Sequence, residues 1–218
     1  EEEYRKSGIT RAEVDTGAVI ITGETSRREN ARTVVEALSE YAGDFVVATA
    51  GPDLESVLAA KGAGAVQYSL DTGKRVLHMD IGGGTANLAW IVDGKITATT
   101  CLNVGGRLLK FDENGVITYV SPVVADITAL KVGDRPAPET LRELAQLLVQ
   151  ALEMAAGLRP RTELLDKLST REAGAVFCLD KPAAISFSGG VADCIEQKQA
   201  LLAFGDIGPV LGQTIRNS

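Results

Sequence analysis

Three consecutive glycines, Gly82, Gly83 and Gly84, lie between two runs of apolar residues. Because glycine has no Cβ, such a bend lets the backbone approach a ligand, and its successive N–H groups can hold phosphate oxygens. Thr85 adds a hydroxyl donor, and Asp80 supplies a carboxylate suited to Mg²⁺ held through water. The segment therefore indicates phosphate binding, and the alternative is a glycine-rich hairpin without a chemical role.

The surroundings of these glycines exclude two common phosphate-binding motifs. No helical pattern begins directly after them, as a Rossmann fingerprint requires, and no Lys-Ser or Lys-Thr pair follows, as a P-loop requires. Phosphates would therefore bind at a bend between two strands. Two further glycine pairs occur later, Gly105-Gly106 and Gly189-Gly190. The second pair follows a short apolar run, so an ordinary strand-to-helix turn is its alternative interpretation.

The elements before the bend have the pattern of an α/β unit. Short β-branched runs at 18–22 and 45–48 predict strands buried in a parallel sheet. Apolar residues at helical spacing follow each run, over 26–42 and again from Pro52 onward. Leu54, Val57 and Leu58 begin the second apolar pattern, and Gly62 and Gly64 within it suggest close backbone packing.

After residue 72 the pattern changes to extended segments, at 75–80, 85–92 and 95–103, with a strong hairpin turn at Asp93-Gly94. A second hairpin is expected around 113–115. Leucines at helical spacing then predict an amphipathic helix from about 139 to 156, and 184–188 predicts a last strand with a helix from about 192. These elements place both ends of the glycine bend on strands.

The segment from Asp80 to Thr85, Asp-Ile-Gly-Gly-Gly-Thr, resembles the second phosphate loop of the actin, sugar-kinase and heat-shock-chaperone superfamily. Three more segments resemble that superfamily in the same order: the helix from Pro52 to residue 71, the Asn-Val-Gly-Gly at 103–106 and the Ser-Gly-Gly-Val at 188–191. Four motifs in order are far more specific than one. The resemblance implies an actin-like, ribonuclease H-like α/β fold, with a mixed sheet and flanking helices, that binds ATP or ADP with Mg²⁺.

The same resemblance implies which residues contact the nucleotide. Gly189 and Gly190 would border the ribose and adenine, and Asp80 would hold Mg²⁺ through water. The full set that the resemblance implies is Asp80, Gly82, Gly83, Gly84, Thr85, Asn87, Gly105, Gly106, Gly189 and Gly190.

The resemblance also implies a division into lobes. Residues 1–72 would form the last part of a first lobe, and 73–218 a second lobe with a helical insertion at about 107–170. The superfamily's first phosphate loop, an Asp-x-Gly-Thr hairpin, does not occur in these residues. We therefore expect the chain to be a truncated fragment of a longer protein.

Within the superfamily, several stretches resemble the ethanolamine ammonia-lyase reactivating factors, among them 19–25, 43–55 and 205–209, and the likeness covers nearly the whole chain. That resemblance implies a chaperone that uses ATP to release damaged cobalamin from the lyase, so that adenosylcobalamin can replace it. It implies ethanolamine ammonia-lyase as the partner. It leaves self-association into a homo-oligomer and association with a bacterial microcompartment open.

Two positions depart from the chaperone pattern. Gly51 stands where chaperones have a glutamate near the attacking water, and Asn87 stands where they have an aspartate after the threonine. Both changes remove a carboxylate, so they argue for slow hydrolysis and for a switch driven by binding. A small-metabolite kinase and a non-enzymatic actin-type assembly protein remain alternatives, because one fold supports many functions.

Composition narrows the classes of partner. The formal net charge of -7, from 29 acidic and 22 basic residues, argues against nucleic acid or an anionic membrane as a partner. No apolar run approaches the roughly 20 residues that span a bilayer. The three cysteines are widely spaced without a Cys-x-x-Cys pair, so neither zinc nor a disulfide framework is indicated, and a reducing cytoplasm fits best.

Several other residues invite a functional interpretation. His78, the single histidine, precedes Asp80 by two positions; a packed strand residue is favoured over a catalytic base, because a base needs an orienting partner. For Glu24, a role at the start of a helix is favoured over contact with the nucleotide. Trp90 and the cysteines are expected in the core.

Overall fold

The computed structural model describes residues 2–10, 13, 18–21, 46–49, 51–170 and 181–218 of the chain. It divides into two compact units, Glu1–Gly51 and Pro52–Ser218. In the first unit, helix α1 spans Glu2–Lys6, and strands β1 (Ala18–Ile21) and β2 (Val46–Thr49) pair in parallel. Both strands were predicted, whereas the helix predicted over 26–42, with Glu24 before it, lies outside the described residues.

The second unit begins with two short helices, α2 (Pro52–Gly62) and α3 (Ala65–Thr72). The helical conformation is interrupted between them at Gly64, whose φ of +74° favours glycine. The close packing expected at Gly62 and Gly64 is absent, since a Cβ at either would meet no atom within 4 Å. The apolar spacing was also misleading, because Leu54 and Leu58 are exposed while Ser56 and Ala60 are buried.

A four-stranded mixed sheet forms the centre of this unit. Its strands are β3 (Val76–Ile81), β4 (Ala86–Val92), β5 (Lys95–Leu102) and, later in the chain, Ala184–Ser188, in the order β5, β4, β3 and then the late strand. The first three run antiparallel as the predicted meander, and the late strand runs parallel to β3. Asp93 and Gly94 both have positive φ, which matches the hairpin turn predicted between β4 and β5.

The connection after β5 contains both strands and helices. Strands β6 (Leu109–Phe111) and β7 (Ile117–Val120) form the predicted second hairpin, and helices α4 (Pro122–Ala125), α5 (Pro138–Ala155) and α6 (Glu163–Leu168) follow. The late strand Ala184–Ser188 is therefore β8. Helices α7 (Gly190–Glu196) and α8 (Gly208–Arg216) complete the unit. The stretch expected to be a helical insertion thus begins with a β-hairpin.

The two faces of the sheet bury different kinds of residue, because side chains alternate along a strand. Leu77, Met79 and Ile81 of β3 join the main core, which includes the apolar stripe of α5. That stripe was predicted, and its members are all buried: Leu141, Leu144, Leu148, Leu152 and Ala155. The other face packs against α2 and α3 around a smaller cluster that includes Ala60 and Val76.

Helices α2 and α3 thus pack on the sheet of the second unit. The compact units divide between Gly51 and Pro52, whereas the lobe boundary was expected near residue 72. The assignment of the two stretches to actin-like lobes stays a prediction.

Candidate functional site

The structure brings the triple-glycine bend and the last glycine pair to the same end of the sheet. The bend joins β3 to β4, and Gly189 and Gly190 join β8 to α7. Because β8 runs parallel to β3 and beside it, the carboxyl ends of the two strands are neighbours. Gly84, Gly189 and Gly190 are exposed there, and Gly82, Gly83 and Thr85 are partly exposed.

The bend itself has unused hydrogen-bond donors. The Gly82 amide donates to the Thr85 carbonyl at 2.9 Å, which closes the turn. Among the described residues, the amides of Gly83, Gly84 and Thr85 donate no hydrogen bond. Amides of consecutive residues that lack an acceptor and face solvent can bind an anion.

Gly105 and Gly106 lie beneath the bend. The amides of Gly106 and Arg107 donate to the carbonyls of Gly82 and Gly83, at 3.0 and 2.6 Å. A Cβ on Gly105 would lie 2.4 Å from the Gly83 carbonyl oxygen, so no larger residue fits. Both glycines are buried, and their segment packs directly against the bend.

Gly189 is constrained by its backbone and by its neighbours. Its φ is +83°, and a Cβ there would lie 2.5 Å from the Ile81 carbonyl oxygen and 2.9 Å from Asp80 Oδ1. The adjacent Gly190 differs, since a Cβ there would meet no atom within 4 Å. The pair therefore combines a tight turn against β3 with an open surface.

Asp80 is held by side chains that the sequence interpretation did not assign to the site. Ser188 Oγ donates a 2.6 Å hydrogen bond to Asp80 Oδ1. His78 is fully buried, with Nε2 3.0 Å from Ser188 Oγ and Nδ1 2.9 Å from Ser186 Oγ. Burial lowers the pKa of His78, and the nearby Asp80 charge opposes that shift. The expected packed position is correct, but this histidine does have partners.

Asn87 lies directly opposite Asp80 in the antiparallel pairing of β3 and β4. It is only 2% exposed, and among the described residues its Oδ1 has no hydrogen-bond partner. An unsatisfied buried carbonyl is costly, so such an atom calls for a water or a ligand. Two of the predicted polar residues, Asp80 and Asn87, therefore lie side by side at the end of the sheet.

A cationic residue also borders the bend. The Arg107 side chain lies against Gly83, and its Nε is 3.7 Å from Asp206 Oδ2. Arg107 is 70% exposed, whereas Asp206 is buried, which raises the pKa of that carboxyl. The Asp206 Oδ1 accepts the Gly208 amide at the start of α8. The position of Arg107 directly after the Gly105-Gly106 pair was the only available sequence signal for it.

A profile of the family described as "Ethanolamine utilisation protein EutA" matches residues 1–218. The chain belongs to the EutA family. It is 41% identical over 226 residues to the ethanolamine ammonia-lyase reactivase EutA of Escherichia coli K12, covering 99% of this chain and 47% of that protein. The corresponding values for the reactivase of Salmonella typhimurium LT2 are 40% over 223 residues, with 98% and 46% covered.

This member of the EutA family spans about half the length of the curated relatives it matches. Among solved structures, it is similar to the PPX-GPPA enzyme of Aquifex aeolicus with a TM-score of 0.50 and 20% identity, over 89% of this chain and 50% of that one. At that identity the likeness concerns the fold alone. It confirms the predicted mixed α/β fold, a sheet with flanking helices.

The EutA residues at the bend fit a magnesium ion held mainly by water and phosphate. Among the described residues, no three His, Cys, Asp or Glu side chains form a metal cluster. Magnesium in phosphate sites needs only one or two carboxylates, and it keeps several waters. Asp80 is partly exposed and offers one carboxylate, and the unsatisfied Asn87 Oδ1 beside it can accept a hydrogen bond from a water.

The remaining candidates that the structure describes lie in the core. Trp90, Cys101 and Cys194 are buried, as expected, and Cys178 lies outside the described residues. Burial raises the pKa of the Cys194 thiol, so it is not an activated nucleophile. In the part of the chain that the structure describes, no helix has the length and apolar character needed to cross a bilayer.

Proposed function

We propose that the protein carrying this chain is a reactivating chaperone for ethanolamine ammonia-lyase, which uses ATP to release damaged cobalamin for exchange with adenosylcobalamin. Membership of the EutA family and the names of the two curated relatives support this assignment. Its partners would be the lyase and a nucleotide. The cytoplasmic location, the association with a microcompartment and a homo-oligomeric state stay predictions.

One observation carries the nucleotide part of the proposal. The exposed bend offers three successive amides without acceptors, and it lies beside the exposed Gly189-Gly190 pair. We infer that the bend and the Thr85 hydroxyl hold the phosphates, and that the glycine pair borders the adenosine. The Arg107 guanidinium adds positive charge at the edge of the bend.

Asp80 and Asn87 would hold Mg²⁺ through water. When bound, the ion neutralises part of the phosphate charge. Asp80 presents its carboxylate, Asn87 offers its carbonyl oxygen to a water, and the bend orients the phosphates. With Gly51 and Asn87 in place of carboxylates, we expect slow hydrolysis, so that the bound nucleotide acts as a conformational switch.

Substitution of exposed glycines tests the nucleotide site without disturbing the fold. A Cβ on Gly84 or Gly190 would meet no atom within 4 Å, and neither residue has positive φ. We expect Gly84→Ala and Gly190→Ala to weaken ADP binding at least about 10-fold, because the methyl occupies space needed by the ligand. Calorimetric titration with ADP and Mg²⁺ measures this in the chain and in a full-length EutA protein.

Gly62→Ala is the matched control. Gly62 is equally exposed and unobstructed, but it lies at the end of α2 and outside the candidate site. We expect that variant to keep the wild-type ADP affinity. Equal affinities in all three variants would contradict the site.

The partner is tested separately by a pull-down of purified ethanolamine ammonia-lyase with the full-length protein. We expect association that differs between ATP and ADP. Absence of association with either nucleotide would contradict the chaperone assignment while leaving the nucleotide site intact. Phosphoryl transfer to a small acceptor, or light scattering that rises with ATP, would favour the kinase or the assembly protein instead.

A further inference from the structure

The single histidine of the chain connects two strands that are far apart in sequence. His78 lies on β3, and both of its ring nitrogens are within 3.0 Å of serine hydroxyls on the parallel neighbour β8. Ser186 and Ser188 are in register with His78 and Asp80. The three side chains and Asp80 therefore form a continuous hydrogen-bonded row along one face of the sheet.

The chemistry of the groups fixes the direction of these hydrogen bonds. An ionised carboxylate only accepts, so the single Ser188 proton is donated to Asp80 Oδ1. Towards His78, Ser188 Oγ must then accept, which requires a proton on Nε2. In the neutral ring, Nδ1 accepts from the Ser186 hydroxyl.

The environment of His78 favours these two serines as its partners. Its partner across the β3–β4 pair is Ala89, whose methyl group offers no hydrogen bond. Helix α2, which packs on this sheet, buries the small residues Ser56 and Ala60, and the Ser56 hydroxyl donates to its own helix at Pro52. A row of bonds in such a buried setting is little weakened by water.

We propose that His78 and Ser188 are positioning residues that fix the Asp80 carboxylate for a divalent cation beside the nucleotide phosphates. This inference rests on the proposed function. Ser188 occupies Oδ1 and so holds the rotamer of Asp80, while His78 orients the Ser188 hydroxyl. Partners behind a metal-binding carboxylate set its geometry and commonly affect metal affinity about 10-fold or more.

Nitrogen NMR of the histidine ring tests the row of bonds without any nucleotide. Because the chain has one histidine, labelling with ¹⁵N-histidine reports on His78 alone. We expect the neutral ring at pH 7 with the proton on Nε2. Asp80→Ala frees the Ser188 proton, so the two tautomers should then mix. A proton on Nδ1 in the wild type, or no change in Asp80→Ala, would overturn the inference.

The link to the cation is tested by measuring ADP affinity with Mg²⁺ and with EDTA. The gain from Mg²⁺ is the ratio of ADP affinity with Mg²⁺ to ADP affinity in EDTA. In Ser188→Ala and His78→Leu we expect this ratio to fall about 10-fold, because only the affinity with Mg²⁺ decreases. His78→Gln keeps an N–H donor for Ser188 and should restore most of the gain. Thr100→Val is the matched control, because it removes a buried hydroxyl of the same sheet, in register with Leu88 of the main core.

The possible failures are distinct. If the wild type binds no ADP in either buffer, the proposed function fails, and the NMR result still decides whether the row of bonds exists. If the wild type gains affinity from Mg²⁺ and Ser188→Ala gains equally, the positioning role is wrong while the nucleotide site stands. If Ser188→Ala loses ADP affinity in EDTA as well, the role of Ser188 is purely structural, and that result would also overturn the inference.

Discussion

At the scale of single residues, the glycines near the bend have two kinds of surroundings. Gly84 and Gly190 face open space, whereas Gly105 and Gly189 touch backbone atoms of β3 and of the bend. We propose that the first two leave space for the ligand, whereas the second two leave space for the protein's own backbone. Alanine substitution distinguishes the two pairs, because only a methyl group at Gly105 or Gly189 would meet protein atoms.

Gly105→Ala should therefore affect both stability and binding. Its Cβ would lie 2.4 Å from the Gly83 carbonyl oxygen, so backbone must move. We expect the free energy of unfolding to fall by about 1–3 kcal/mol, as is usual for overpacking, and ADP affinity to fall with it. Urea denaturation and calorimetry measure the two effects. Wild-type stability in this variant would show that Gly105 does not pack tightly against the Gly83 carbonyl.

The buried Asp206 carboxyl should make the stability of the protein depend on pH. Burial raises its pKa above the ordinary value of 3.8, although the Gly208 amide and Arg107 oppose the shift. A raised native pKa means that the folded state binds the proton more tightly, so the stability contribution is lost as pH rises through that pKa. Asp206→Asn keeps an acceptor for the Gly208 amide but does not ionise.

We therefore expect Asp206→Asn to gain stability relative to the wild type as the pH rises from about 4 to 7. Free energies of unfolding from urea titrations at several pH values measure the difference. A difference that stays constant over this range would show that the Asp206 carboxyl is not protonated more readily in the folded state.

At the scale of elements, α7 and α8 pack closely through Gly212. A Cβ there would lie 2.5 Å from Cys194 Cβ and 2.6 Å from the Cys194 carbonyl carbon. Arg216 of α8 donates to the carbonyls of Ile195 and Glu196 near the end of α7, which satisfies acceptors that a helix end leaves free. Because α7 begins at Gly190, this contact positions the open side of the candidate site.

Gly212→Ala should reduce the free energy of unfolding by about 1–3 kcal/mol, because the added methyl forces the two helices apart. In Gly62→Ala the same change meets open space and should stabilise slightly, by up to about 1 kcal/mol, because it restricts the unfolded chain. Thermal unfolding compares the pair. Equal effects at both positions would contradict the close helix contact.

At the scale of the whole molecule, the second compact unit contains both buried clusters. Among the described residues, every member of the main core and of the smaller cluster beneath α2 and α3 belongs to Pro52–Ser218. We expect residues 52–218 to fold alone and to unfold in one cooperative transition. Circular dichroism during urea denaturation tests this, and a broad, non-cooperative transition would show that the first unit is needed for folding.

Local patterns in the sequence determined much of this unit. The hairpin turn at Asp93-Gly94, the leucine stripe of α5 and the glycine bend between strands all depend on neighbouring residues, so they could be predicted. The clustering of Gly82–Gly84 and the order of the later glycine pairs likewise indicated the candidate site. Apolar spacing was misleading in α2, where small residues face the sheet and two leucines do not.

The tertiary structure alone decided which polar side chains surround Asp80. Ser188 is 108 residues away in sequence, and it reaches Asp80 because β8 pairs with β3 in this particular register. The pairing of distant strands depends on how the whole sheet buries its two faces, and no short segment encodes it. For the same reason, the sequence left His78 without partners, although the folded chain provides two.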